Sequence, residues 1–153
     1  MYNSFDIAFK LLNFAKEEGY IMPQMKLLKL TYIAHGYYLG FYDKPLFNDE
    51  IQAWKYGPVI PSLYQITKRF GKHSVDPFIV GIYVKNQLKD EDEKFLKMVW
   101  NAYKNNGGLQ LSTLTHKEGT PWSTIYKDGI SDLTIDNEVI KKYYKQLIKE
   151  RGR

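Results

Sequence analysis

The sequence predicts a predominantly α-helical α+β fold: a compact bundle of about six or seven helices around one central apolar helix, with a small two- or three-stranded antiparallel sheet. Three observations predict it. Apolar residues recur at helical spacing along most of the chain, Met25 to Phe41 is apolar on nearly every face, and only Ile51–Trp54 and Phe78–Val84 carry a strand-like pattern. At 153 residues the chain has the size of one domain, read as 1–153, and can bury roughly two thirds of its unfolded surface.

The first helix runs from Ser4, expected as its N-cap, to Glu18, with Phe5, Ala8, Leu12 and Ala15 beside Ile7, Leu11 and Phe14 on its apolar stripe and Gly19 as its stop. Pro23 sits where a first helical residue would, ahead of the central helix Met25–Phe41. Within that helix Gly36 and Gly40 lie one turn apart and invite the close approach of another element. Ile51–Trp54 reads as a strand that Gly57-Pro58 breaks, and Pro61 opens a third helix that buries Leu63, Ile66 and Phe70 and stops at Gly71.

Phe78–Val84, rich in β-branched and aromatic residues, reads as a second strand pairing with the first. Asp90 and Glu93 suggest an acidic capping box for a helix that buries Phe95, Met98, Val99, Ala102 and Tyr103 and ends at Asn106-Gly107-Gly108. Leu111–His116 gives one or two further turns, and Thr120-Pro121 opens a short helix carrying Trp122 and Tyr126. Asp136 caps the last helix, with Val139, Ile140, Tyr143, Leu147 and Ile148 inward and Lys141, Lys142, Lys145 and Lys149 outward.

Composition narrows function. With no cysteine, disulfides, thiolate-bound zinc and thiol catalysis are excluded, in keeping with a cytoplasmic setting. No apolar run approaches the roughly 20 residues that span a bilayer. The net charge of +5 is unevenly spread: Gly19–Tyr42 and Ile51–Val75 contain no acid but carry Lys26, Lys29, Lys55, Lys68, Arg69 and Lys72, which suggests a basic face. Aromatic residues make up 16% of the chain, and 13 are tyrosines, whose amphipathic rings suit interfaces.

Catalytic and metal chemistry find little support. His35, His73 and His116 stand at no ligand spacing from one another, and His116 and Glu118, two apart, would point in different directions on a helix. No phosphate-cradling loop or nucleophile elbow is present, so no catalytic residue, metal ligand or cofactor is assigned, and His116 is expected to bond a backbone carbonyl and pin the turn into Thr120-Pro121.

The densest motif is Ala53-Trp54-Lys55-Tyr56-Gly57-Pro58-Val59-Ile60-Pro61, in which two prolines restrict the backbone around two large rings. Trp54 and Val59 read as core anchors; fully buried, Trp54 would contribute up to about 5 kcal/mol at about 25 cal/mol per Å². Lys55 and Tyr56, with polar ends, are open to a partner.

This motif, together with Lys29-Leu30, Tyr32-Ile33-Ala34-His35-Gly36, Pro45-Leu46-Phe47, Leu63-Tyr64 and Leu114 to Trp122, resembles the signature of Panacea domains, the SocA-like antitoxins also grouped with GepA-like phage-associated proteins of bacteria and prophages. The resemblance, in order and spacing, covers nearly the whole chain. It implies a mainly helical domain that neutralises a cognate toxin protein encoded beside it, by direct binding or by delivery to a cytosolic protease. On this reading the partner-binding or motif residues are Lys29, Tyr32, His35, Trp54, Lys55, Tyr56, Gly57, Pro58, Val59, Tyr64, Thr115, His116 and Trp122. Many members carry an added DNA-binding segment; with no room for one before Ser4 or after the last helix, autoregulation by DNA binding is not carried over. The alternative from the residues themselves is a nucleic-acid-binding or phage accessory protein whose basic, aromatic face meets phosphates and bases.

Overall fold

The computed structural model describes residues 1–152, and these form eight α-helices and one three-stranded antiparallel sheet, the helical α+β architecture expected. Helix α1 (Ser4–Glu18) is capped by Asn3 rather than Ser4. The Asn3 side chain accepts the Asp6 N–H at 2.8 Å while Asp6 accepts the Asn3 N–H at 3.0 Å, a reciprocal box that fixes the start one residue earlier. Ser4 is buried instead, donating through both its N–H and its hydroxyl to Asp49.

Helix α2 (Gln24–Tyr42) is the axis of the fold. Every residue from Lys26 to Gly40 is buried, because α1, α3 (Pro61–Thr67), α5 (Asp90–Tyr103), α6 (Gly108–His116) and α8 (Asn137–Arg151) all pack against it. Burying each large aliphatic side chain stabilises the fold by about 1.5–3 kcal/mol. Gly36 and Gly40 admit α8: the Tyr144 ring lies directly on Gly36, and a Cβ at Gly40 would sit 2.7 Å from Ile148 Cδ1. Tyr144, not among the inward residues expected on α8, is thus its most closely packed ring, and Asp136 caps the helix by accepting the Glu138 N–H at 2.8 Å.

The sheet has the order β2-β1-β3. Strand β1 (Gln52–Trp54) pairs with β2 (Gly57–Val59) through Gln52–Val59, Ala53–Pro58 and Trp54–Gly57, and with β3 (Leu133–Thr134) on its other edge. Gly57-Pro58 therefore does not break the chain; it opens β2, and the turn between the strands is Lys55-Tyr56. Pro58 lacks an N–H but stands on an outer strand, where none is needed for a second ladder. Neither Lys55 nor Tyr56 has positive φ, so Gly57 takes up the reversal at φ +123°.

Phe78–Val84 is not a strand. Asp76 accepts the Phe78 N–H at 3.0 Å and Pro77 supplies a preset φ, so the segment starts helix α4 (Pro77–Gly81), a local start signal that outweighs β propensity. The third helix shortens to α3 plus a 3₁₀ turn at Lys68–Phe70, ends at Gly71 as expected, and leaves Ile66 and Phe70 only partly buried. Helix α5 has Lys89 at its N-cap with no side-chain cap, its four acids sitting instead inside the first turn, where they favour the helix dipole. Leu96 and Trp100 are buried on α5, whereas Met98 and Ala102 are exposed, so its buried stripe is rotated from the expected one. Helix α7 (Pro121–Ile125) follows Thr120.

Candidate interaction site

The site is the β1–β2 hairpin and the side chains that hold it. Lys29, 3% exposed in the second turn of α2, donates from Nζ to the Pro58 carbonyl at 2.8 Å. Burial holds its ammonium down at a pKa of about 8. From α6, the Ser112 hydroxyl donates to the Tyr56 carbonyl at 2.8 Å; from α7, Trp122 Nε1 donates to the Trp54 carbonyl at 2.5 Å. Three helices thus each bond one carbonyl of the hairpin. A Cβ on Gly57 would lie 3.0 Å from Lys29 Nζ and 3.5 Å from both Thr115 Oγ1 and His116 Cβ, so the hairpin sits down on these residues at its glycine.

The remaining motif residues divide by role. Thr115 is buried and bonds the Leu111 carbonyl, tightening α6. His116 bonds a backbone carbonyl, but that of Ser112 one turn back in its own helix rather than one in the Thr120-Pro121 turn; its ring meets Trp122 edge-on at 5.3 Å. Trp122 in turn stacks on Tyr126 at 4.6 Å. Trp54 is half-buried, not a full core anchor: its indole N–H donates to Gln52 and its ring meets Tyr64 edge-on at 4.8 Å. Val59 is buried. Lys55 and Tyr56 are exposed, Tyr56 by 62%, and the Lys55 ammonium lies 5.5 Å over the Tyr56 ring.

Tyr32 and His35 lie elsewhere, inside the bundle. Tyr32 is edge-on to Tyr144, and burial raises its pKa far above the usual tyrosine range. His35 stacks on Phe47, shares a 2.9 Å hydrogen bond with Asn137, and is held down at about 4 by burial. These two hold the core and do not join the hairpin.

The expected basic face loses part of its charge to the interior. Lys26 is 6% exposed, its Nζ donating to the Lys104 carbonyl at 2.6 Å between the rings of Tyr20 and Trp100, and Lys29 is bound as described; two of the six cations are inside. Ser112 escaped the sequence reading, although its place one turn before His116 sets both on the same side of α6. Beside the hairpin, Trp54, Lys55, Tyr126 and Ile130 line an open groove of about 400 Å³. Among the described residues, no group of three or more His, Asp or Glu residues is arranged to hold a metal, and no helix is long and apolar enough to cross a membrane.

The stretch that builds this arrangement, from α2 through the hairpin to Trp122, coincides with a family match: residues 27–123 match the family described as Antitoxin SocA-like, Panacea domain. The chain belongs to that family. It is also similar to Antitoxin SocA of Caulobacter vibrioides (strain NA1000 / CB15N), 26% identical over 159 aligned residues that cover 96% of this chain and 80% of the relative. No solved structure matches the chain.

Proposed function

We propose that this protein is an antitoxin that neutralises a cognate toxin protein by direct, stoichiometric binding, and that Lys55 and Tyr56 meet the toxin. The observation that carries the reading is an exposed two-residue turn on an otherwise immobilised hairpin. The Pro58, Tyr56 and Trp54 carbonyls are bonded from α2, α6 and α7, so the backbone that presents the Tyr56 ring and the Lys55 ammonium is held in place before any partner arrives. A preordered amphipathic ring beside a cation loses little entropy on binding and suits an interface anchor. Membership in an antitoxin family supports a toxin as the class of partner.

The test is coexpression with the product of the adjacent gene. The expected result is rescue of growth and a complex that survives purification, with rescue lost in Lys55→Glu/Tyr56→Ala although the variant folds. Absence of a toxic neighbour, or rescue by the double variant equal to that of the unaltered protein, contradicts the reading.

A further inference from the structure

The segment Val75–Val84 carries more apolar side chain than the core uses. Val75 and Val80 are buried, at 2% and 0% exposure, but Phe78 and Ile82 are 62% and 63% exposed and Tyr83 is 45% exposed. Phe78 and Ile82 are four residues apart, and the Ile82 N–H bonds the Phe78 carbonyl, so both side chains leave the same side of one helical turn. The segment is not loose. Asp76 caps it, Val80 fills the core beneath it, Phe9 packs under Gly81, and Tyr83 stacks on Phe5 at 5.0 Å between centroids. A rigid turn that sets three large apolar side chains toward water has the character of an interaction surface.

Charge indicates what covers it. Between Lys68 and Lys89 the chain carries Lys68, Arg69, Lys72, Lys85 and Lys89 and a single acid, Asp76, whose carboxylate is engaged in capping α4. Lys68, Arg69 and Lys72 continue directly from α3, which packs against α4; Lys85 follows Tyr83 by two residues. Among the described residues none of these cations is ion-paired with a carboxylate. Next to Tyr83 the surface continues into a groove of about 280 Å³ lined by Asp6, Phe9, Lys10 and Val84–Leu88, in which Asp6 is buried and accepts the Lys85 and Asn86 N–H groups, Lys10 is paired with Glu93, and Lys85 is left as the unpaired cation. An apolar centre flanked by unpaired cations complements a ligand with an apolar stripe and acidic flanks.

We propose that the face of Phe78, Ile82 and Tyr83 is a docking surface for an acidic amphipathic helix of a partner protein, separate from the hairpin. The test uses two fluorescent synthetic helical peptides that share one leucine stripe, one with glutamates and the other with lysines on the polar face. The glutamate peptide is expected to bind the full chain saturably, and Phe78→Ser/Ile82→Ser to weaken it about tenfold or more with circular dichroism and melting unchanged. Lys85→Glu, which keeps the apolar centre, is expected to weaken it and to reduce its sensitivity to salt. Equal binding of the lysine peptide, or glutamate-peptide binding unchanged in both variants, overturns the proposal. So does sedimentation with phosphatidylserine vesicles that the double variant abolishes, which makes the face a lipid contact. Concentration-dependent dimerisation lost in the double variant overturns it in favour of a second copy of this chain.

Discussion

Lys29 Nζ donates to the carbonyl of Pro58 at 2.8 Å, which ties the buried second turn of α2 to the outer strand of the hairpin. The ammonium is almost wholly enclosed and has no carboxylate beside it, so the bond offsets only part of what its desolvation costs. Such a group belongs at a place where position counts for more than stability.

The burial of Lys29 makes stability depend on alkaline pH. The Lys29 pKa is lowered from about 10.5 when unfolded to about 8 in the fold, so below pH 8 both states are protonated and the folded state carries the full cost of the buried charge. As pH rises from 8 toward 10.5 the folded state sheds its proton first, and the protein gains stability, up to about 3 kcal/mol over the window. Tyr32, Tyr37, Tyr38 and Tyr144 are all held neutral above their ordinary range and oppose this only above about pH 10. Urea unfolding at pH 7.5 to 9.5, in roughly half-unit steps, is expected to show a rising midpoint whose slope falls in Lys29→Met, with Lys26, also lowered by burial, keeping part of the rise.

His35 sets the acid limit. Its pKa falls from about 6.5 unfolded to about 4 in the fold because charging the ring would leave a cation inside the bundle against Phe47. The stabilisation is complete above pH 6.5 and is lost as pH falls toward 4, amounting to about 3 kcal/mol at full extent. Glu18, drawn down to about 2 mainly by hydrogen bonds from Lys97 and Lys104, adds its own loss below about pH 4.5. Between pH 6.5 and 4.5, His35→Gln should flatten the fall in the urea midpoint; an unchanged slope would assign the effect to another group.

Gly36→Ala removes a glycine from a helix, which alone favours the fold by about 1 kcal/mol, but drives a methyl into the Tyr144 ring. Overpacking of this kind costs about 1–3 kcal/mol, and because Tyr144 is itself wedged between Tyr32 and Tyr37 the upper end is expected, for a net loss of about 1–2 kcal/mol. Thermal melting checks it, and Tyr144→Leu in the Gly36→Ala background should restore part of the loss.

How much of this was legible in the sequence follows from which signals are local. Helix α2 announced itself by being apolar on every side, and Gly36 and Gly40 by their one-turn spacing, because burial and close approach leave marks on residue type. Phe78–Val84 misled for a physical reason: its surplus apolar residues resemble a strand, yet Asp76-Pro77 starts a helix there and much of the surplus lies on the surface. Two cations of the expected basic face lie inside because sequence cannot tell an exposed lysine from Lys29, whose ammonium is bound to a backbone carbonyl. Within the site, the motif marked the hairpin and its supports Lys29, Thr115 and Trp122. Ser112 stayed hidden, since a hydroxyl donating to a carbonyl 56 residues away has no local pattern.

The supported turn at Lys55 and Tyr56 is the toxin contact proposed for this fold. Calorimetric titration of the purified cognate toxin with the unaltered protein and with Tyr56→Ala tests it most directly. The expected result is a loss of about 2 kcal/mol or more, roughly 30-fold in affinity, with thermal stability within about 0.5 kcal/mol of the original. Unchanged affinity in Tyr56→Ala and in Lys55→Glu, with both variants folded, would contradict it.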